Sequence, residues 1–215
     1  MTSLLFVNSL AGLLIFTSII IIYTKKVKSA AIGYAIQSFV LVALFFSLAD
    51  VMQAHELYVW SISAFFTKVV FVPALILYMV KKLPENDFSD GLNKAWLLPI
   101  LPIVMLVSHL IVEPINLTVV ENLKPALAVS FAHFFLGLLC IASQRHILKQ
   151  VFGYCLMENG AHLSLALLAN NAPKLVEIGI STDAIFAMII MVVLVNKIYH
   201  KINSLDSKDL SELKG

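Results

Sequence analysis

The sequence is short of charge. Only 13% of its 215 residues are Asp, Glu, Lys or Arg, against about 25% in a soluble domain, so a water-facing surface over the whole chain is excluded. Cysteine is nearly absent as well. The two present, Cys140 and Cys155, fall inside apolar stretches and form no C-x-x-C spacing. An iron–sulfur cluster usually needs four thiolates, which this chain cannot supply. No internal repeat is found, which argues against a self-contained transporter. Nor is there a nucleophile or metal set of the kind an integral-membrane enzyme needs. The stretch 84–91, Pro-Glu-Asn-Asp-Phe-Ser-Asp-Gly, loosely resembles a calcium loop but lacks the closing Glu of an EF-hand, and reads as a solvated loop.

What is present is apolar length. Hydrophobic residues make up 60% of the chain and the mean hydropathy is +0.93. They come in seven blocks: Leu4–Tyr23, Ser29–Ala49, Leu57–Val80, Ala95–Val112, Pro125–Ser143, Val151–Asn170 and Glu177–Lys197. A spanning helix needs about 20 residues at 1.5 Å each, and lipid offers backbone groups no partner, so each block is predicted to be a helix. The expected fold is an all-α integral membrane bundle of about seven transmembrane helices. The first block lacks the basic stretch that opens a signal peptide and reads as a retained helix.

Lys and Arg fix the expected orientation. Lys25, Lys26, Lys28, Lys81, Lys82, Lys94, Arg145, Lys149, Lys197, Lys201, Lys208 and Lys214 fall on one side, and only Lys124 and Lys174 on the other. The N-terminus is therefore expected outside and the C-terminus in the cytoplasm. The net charge of +2 reports this topology and implies no nucleic-acid partner. The tail after Lys201 is polar, and reads either as a partner contact or as a frayed terminus.

Three charged residues interrupt the apolar runs: Lys68, Glu158 and Asp183. Each costs roughly 2.5–3.5 kcal/mol at a helix centre on insertion scales, and proton or ion movement is the default use of such residues. His162 lies four residues after Glu158, on the same helix face, and His133 lies at a depth similar to that of Lys68. A desolvated carboxylic acid favours its neutral form, whereas a nearby ammonium favours the carboxylate; histidine titrates near neutrality. Glu158, Asp183, Lys68, His162 and His133 are thus candidate members of a proton relay. Each also has a plainer reading: Lys68 as half of a structural ion pair, Asp183 as a partner of Thr182 or a helix end, the histidines as interhelical glue. Asn159 and Gly160 combine an interhelical hydrogen bond with close helix approach. Pro73, five residues after Lys68, is expected to bend its helix for function or for packing, whereas Pro99 and Pro102 suggest a packing kink.

These residues carry a resemblance. The run Phe152-Gly-Tyr-Cys-Leu-Met-Glu-Asn-Gly-Ala-His162, the run Val176-Glu-Ile-Gly-Ile-Ser-Thr-Asp-Ala-Ile-Phe186, and Leu123-Lys-Pro-Ala-Leu-Ala128 with His133-Phe-Phe-Leu-Gly-Leu-Leu-Cys140 resemble the hydrogenase-4 component E family. The likeness runs from Asn8-Ser-Leu-Ala-Gly12 to Leu213-Lys-Gly215. It implies a membrane subunit of a membrane-bound [NiFe]-hydrogenase or formate hydrogenlyase complex in the bacterial cytoplasmic (inner) membrane. Antiporter-like membrane subunits and a soluble hydrogenase arm are the implied partners, beside the lipid bilayer. No cofactor is implied in this chain; the nickel–iron centre and the iron–sulfur clusters would lie in partner subunits. The last three helices also resemble the K-type subunit of respiratory complex I. In its pattern Gly-x-Glu-x-Met-x-Asn, Gly153, Met157 and Asn159 match, while Cys155 stands at the Glu position and Glu158 follows three residues later. Asp183 stands where that subunit carries its second Glu. The division expected from the likeness is residues 1–124 as a four-helix part holding Lys68, 125–200 as a three-helix K-like part, and 201–215 as a cytoplasmic tail.

The leading expectation is a non-catalytic membrane-arm subunit contributing to proton translocation. The alternatives are a scaffold between antiporter-like subunits, with structural charges, and a stand-alone cation/proton antiporter, which fits the charges but not the small size.

Overall fold

The computed structural model describes residues 2–83, 88, 94–116 and 118–211. The stretch 84–91 singled out above lies outside the described residues apart from Phe88, as do the closing residues 213–215.

Every long apolar run forms helix, with ends that lie within a few residues of the run's own. The helices are α1 (Thr2–Tyr23), α2 (Val27–Val51), α3 (Glu56–Ala64), α4 (Val72–Val80), α5 (Lys94–Val112), α6 (Lys124–Ser143), α7 (Ile147–Leu168), α8 (Lys174–Ile202) and the short α9 (Ser207–Ser211). A 3-10 turn, Thr118–Leu123, leads into α6. No strand occurs among the described residues; an isolated antiparallel bridge joins His146 to Asp206. Asn203 closes α8 in the left-handed region, at φ 57°, and its N–H donates to Tyr199 O at 2.7 Å. Asn tolerates that conformation better than most residues because its short amide bonds locally.

Among the described residues five stretches are long and apolar enough to cross a membrane: Ser3–Tyr23, Val27–Val51, Glu56–Val80, Val120–Ser143 and Lys174–Ile202. Pro99–Val112 in α5 is a shorter apolar helix. The helix α7 is as long as α1 but is not among the five. Lys149, Gln150, Glu158, Asn159 and His162 all fall within it, so the polar chemistry of the chain is concentrated on one helix.

Between α3 and α4 the backbone does not break. Residues Phe65–Phe71 form a π-helical segment, in which the Val72 N–H reaches back five residues to Thr67 O. Pro73 follows at once, and its ring cannot sit over an α-helical turn without clashing with the carbonyl four residues earlier. The wider π turn lies immediately before it, so Pro73 stands where the α-helical hydrogen-bond pattern is already interrupted. Single π turns of this kind concentrate at functional sites. Lys68 sits in the middle of this one.

The α6–α7 hairpin is drawn together by glycine. A Cβ on Gly137 would stand 2.3 Å from Met157 N, one on Gly153 2.9 Å from Ile141 N, and one on Gly160 2.4 Å from Phe134 N. Lipid tails supply no hydrophobic force between helices, so contact at this range is held by dispersion and hydrogen bonds. Ser130 and Ser164 add such a bond at 2.8 Å.

Two apolar clusters fill the bundle. One gathers Tyr34, Ile76, Phe152, Leu156 and Leu205, the other Leu44, Trp60, Leu127 and Leu163. Both draw side chains from each side of Lys124, so the packing runs across the division suggested by resemblance. At the Tyr34 end the turns are stitched together: Phe88 N–H donates to Lys25 O at 2.8 Å, and Ile147 N–H to Leu205 O and Ser207 N–H to Arg145 O, both at 2.9 Å. Leu205 is fully buried. The polar tail is thus strapped across the α6–α7 turn as far as α9, and is not frayed there.

Candidate functional site

Lys68 is buried in the π segment and its ammonium has two partners on α7. It donates to Glu158 Oε1 in a close ion pair and to Asn159 Oδ1 at 2.9 Å. One lysine in the widened turn thus meets two adjacent residues of α7. Pairing is required here, because an isolated ion in a low-dielectric interior carries a penalty of several kcal/mol.

From Asn159 the hydrogen bonds run on in one direction. Asn159 Nδ2 donates to Gln37 Oε1 at 3.2 Å. Gln37 Nε2 donates to His133 Nε2 at 2.6 Å. That leaves the His133 proton on Nδ1, which faces Ser18 Oγ at 2.8 Å; Ser18 in turn donates to Leu14 O at 2.6 Å. Ser18, Gln37, His133 and Asn159 are all buried. Each donor points away from the ammonium, an arrangement in which successive bonds polarise one another. Five helical segments, α1, α2, the π turn, α6 and α7, are tied together by this one chain.

A second polar group lies one turn along α7. His162 Nε2 meets Glu177 Oε2 of α8 at 3.1 Å. Ser181 donates to the other oxygen, Glu177 Oε1, at 2.8 Å, and also meets Ser63 of α3 at 2.5 Å. The His162 ring packs between Phe45 and Trp60, at centroid separations of 4.8 and 5.2 Å. His162 and Glu177 are each 2% exposed, so this pair is sealed from lipid.

The structure therefore brings Lys68 and Glu158 into contact, with Asn159 beside them. His133 stands two amides away from Lys68, and His162 pairs with Glu177. Asp183 joins none of them. It lies exposed on α8 and has no hydrogen bond or ion pair among the described residues. Gly160 serves the close α6–α7 contact, and Pro73 follows the π turn that holds Lys68.

Sequence reasoning misses five participants: Glu177, Ser181, Gln37, Ser18 and Ser63. Glu177 is read as the start of its helix, but α8 begins at Lys174 and carries Glu177 into the bundle. Its spacing of four from Ser181 is the signal that it faces inward as part of a pair. Gln37 stands in the middle of an apolar run, and the criterion that finds Lys68 would find it too. Ser18 and Ser63 carry no signal of their own, because serine in a membrane helix commonly bonds its own backbone. Lys149 is misplaced rather than missed. Counted as a loop charge, it is buried, donating to Ile21 O at 2.7 Å and to Thr24 O, with its ammonium 4.4 Å from the Phe88 ring centroid. It caps the carbonyl end of α1, where a cation is favoured.

Among the described residues no group of three or more His, Cys, Asp or Glu could hold a metal ion. What the arrangement offers is a half-buried carboxylate whose counter-ion has a second place to go.

Residues 125–215 match the family model for NADH-ubiquinone/plastoquinone oxidoreductase chain 4L. Over 216 aligned residues, covering all of both chains, the sequence is 49% identical to "Hydrogenase-4 component E" of Escherichia coli K12, and equally to that of Shigella flexneri. It is 24% identical to an uncharacterised Mycobacterium tuberculosis protein, over 97% of this chain and 96% of that one. No solved structure matches it.

Proposed function

The chain belongs to the hydrogenase-4 component E family, and from that premise we propose that it carries protons, or couples their movement, in the membrane arm of a [NiFe]-hydrogenase complex of the formate hydrogenlyase type. Belonging to this family makes it a non-catalytic, multi-pass membrane subunit of an oxidoreductase complex related to complex I. Nickel–iron and iron–sulfur chemistry is assigned to partner subunits, and antiporter-like subunits and the soluble arm are its proposed neighbours. Seven spans in the bacterial inner membrane are proposed, with the end bearing Lys25, Lys81 and Arg145 in the cytoplasm, by the positive-inside rule.

The observation that carries the reading is the forked contact of Lys68. While its ammonium rests on Glu158, the carboxylate keeps its charge. When the ammonium swings to Asn159 alone, the carboxylate loses its counter-ion and takes up a proton; return of the lysine expels it. The π turn supplies the slack for such a swing. His162, one turn along α7 and bonded to Glu177, is the next carrier on this proposal, with Ser181 and Ser63 beyond it.

His133 has a different part. Two amides separate it from Lys68, and an amide donates and accepts without readily giving up a proton. We assign His133 to holding Gln37 and α1 in place. Asp183 enters the relay only where a neighbouring subunit covers it.

A scaffold reading also has an observation in its favour: the chain from Lys68 to Leu14 O is closed at every step, as a fixed knot would be. The experiment that separates the two is H⁺ pumping in inverted membrane vesicles during hydrogenase turnover, wild type against Glu158→Gln. Assembly is followed by activity with an artificial electron carrier. Redox activity kept with pumping lost supports the relay; both unchanged leaves Glu158 a structural residue.

A further inference from the structure

The helix α8 is the least covered of the five long apolar spans. Only 17% of its apolar window is buried inside the bundle, against 39–61% for the other four spans. Its outer face carries Gly179, Asp183, Phe186 and Ile190, all exposed. They recur at intervals of four, three and four, so they form one stripe. A Cβ on Gly179 would meet nothing within 4 Å. This glycine therefore makes no close contact inside the chain, unlike Gly137, Gly153 and Gly160.

Asp183 lies nine residues beyond Lys174, roughly 14 Å along the helix axis at 1.5 Å per residue, well inside an apolar span. A carboxyl group facing hydrocarbon there is costly, and such residues face protein or water. Among the described residues no cation pairs with it: Lys68 is already held by Glu158 and Asn159.

We infer that the Gly179–Ile190 face of α8 docks a transmembrane helix of another membrane subunit, one carrying a Lys or Arg at the depth of Asp183. Gly179 lets the partner backbone come close, Phe186 and Ile190 pack against its apolar side chains, and Asp183 supplies the charge complement that fixes register. A second copy of this chain fits poorly, since it would set Asp183 against Asp183. The inference rests on the membrane-arm reading, because it needs a neighbouring membrane subunit, but not on proton movement.

The test is cross-linking in native membranes holding the assembled complex. A photoreactive phenylalanine analogue replaces Phe186, and the adduct is identified by mass spectrometry. One dominant adduct is expected, with a spanning segment of another subunit that contains Lys or Arg. Asp183→Lys should lower its yield roughly tenfold, as expected for a like-charge contact, and Asp183→Glu should keep it. If the lysine variant does not accumulate, the near-isosteric Asp183→Asn is read instead, with a loss in the same direction. Adducts with lipid alone, with a second copy, or with a segment lacking a basic residue would overturn the inference, as would a yield indifferent to both Asp183 variants. Glu158→Gln should leave the adduct unchanged whatever it does to pumping, so the two readings fail separately.

Discussion

Gly137 of α6 lies against the backbone of Met157 of α7, the residue before Glu158, so closely that an added methyl carbon would stand 2.3 Å from the Met157 nitrogen. Real side-chain carbons do not approach a backbone nitrogen at that range. The carboxylate is therefore held by a helix whose position is set, one residue away, by the absence of a side chain. Gly160, one residue beyond Asn159, repeats the arrangement against Phe134.

Gly160→Val should then force α6 and α7 apart and destabilise the subunit by at least the 1–3 kcal/mol usual for overpacking. Because the obstacle is backbone, repacking of side chains cannot relieve it. The measurement is the thermal midpoint and recovery of the detergent-solubilised complex. Gly12→Ala is the control: nothing lies within 4 Å of the new carbon, and replacing a mid-helix glycine should leave stability unchanged or raise it by up to about 1 kcal/mol.

Lys68→Met should cost about 3–5 kcal/mol, the usual penalty for removing one member of a buried ion pair. Adding Glu158→Gln removes the orphaned charge, so the double variant should be more stable than Lys68→Met alone. A double-mutant cycle on unfolding of the purified complex reads the coupling. Additive effects would show that the two side chains do not depend on each other.

If His133 holds rather than carries, His133→Gln should keep pumping and its pH profile, because an amide can still accept from Gln37 and donate to Ser18. His133→Leu leaves the buried donor of Gln37 without an acceptor and should lower stability by about 1–3 kcal/mol. Pumping abolished by both variants, with assembly intact, would return His133 to the relay.

The docked tail should loosen in acid. His146, in the turn before α7, is held well below the ordinary histidine value, at about 4; burial is the main cause, Lys149 adds to it, and Asp206 opposes it. The unfolded turn therefore binds a proton that the folded turn refuses. Its stability is complete above about pH 6.5 and falls as pH drops towards 4. Amide exchange at Ser207, whose N–H donates to Arg145 O, should accelerate over that window relative to the intrinsic rate of an unprotected amide at the same pH. In His146→Gln this acceleration should disappear.

The helices are legible because run length and run ends are local properties. The apolar block Leu4–Tyr23 becomes Thr2–Tyr23, and Glu177–Lys197 grows to Lys174–Ile202. Glu158 and Lys68 stand out because charge within such runs is rare. Which residues face each other is not local. Nothing in the spacing reveals that Lys68 meets two neighbours at once, since that depends on how α7 packs against the π segment. Asp183 resembles Glu158 in sequence, an acid in an apolar helix, yet one faces the bundle and the other faces outward. Lys149 shows the converse: a residue that counts as a surface charge is buried, because the carbonyl end of α1 lies within its reach.

The π segment has a consequence for the phase of its helix. Such a turn amounts to one residue more than a continuous α-helix would use. Deleting a residue between Phe65 and Phe71 would let Glu56–Val80 run on as plain α-helix with its two halves in their present phase. Deleting one outside the π segment would instead turn one half against the other by about 100°. Trp60 packs in one apolar cluster and Ile76 in the other, so both could not then face inward. The wide turn thus absorbs a surplus residue without turning either end of the span, and a homologue that lacks it seats both halves on the same neighbours.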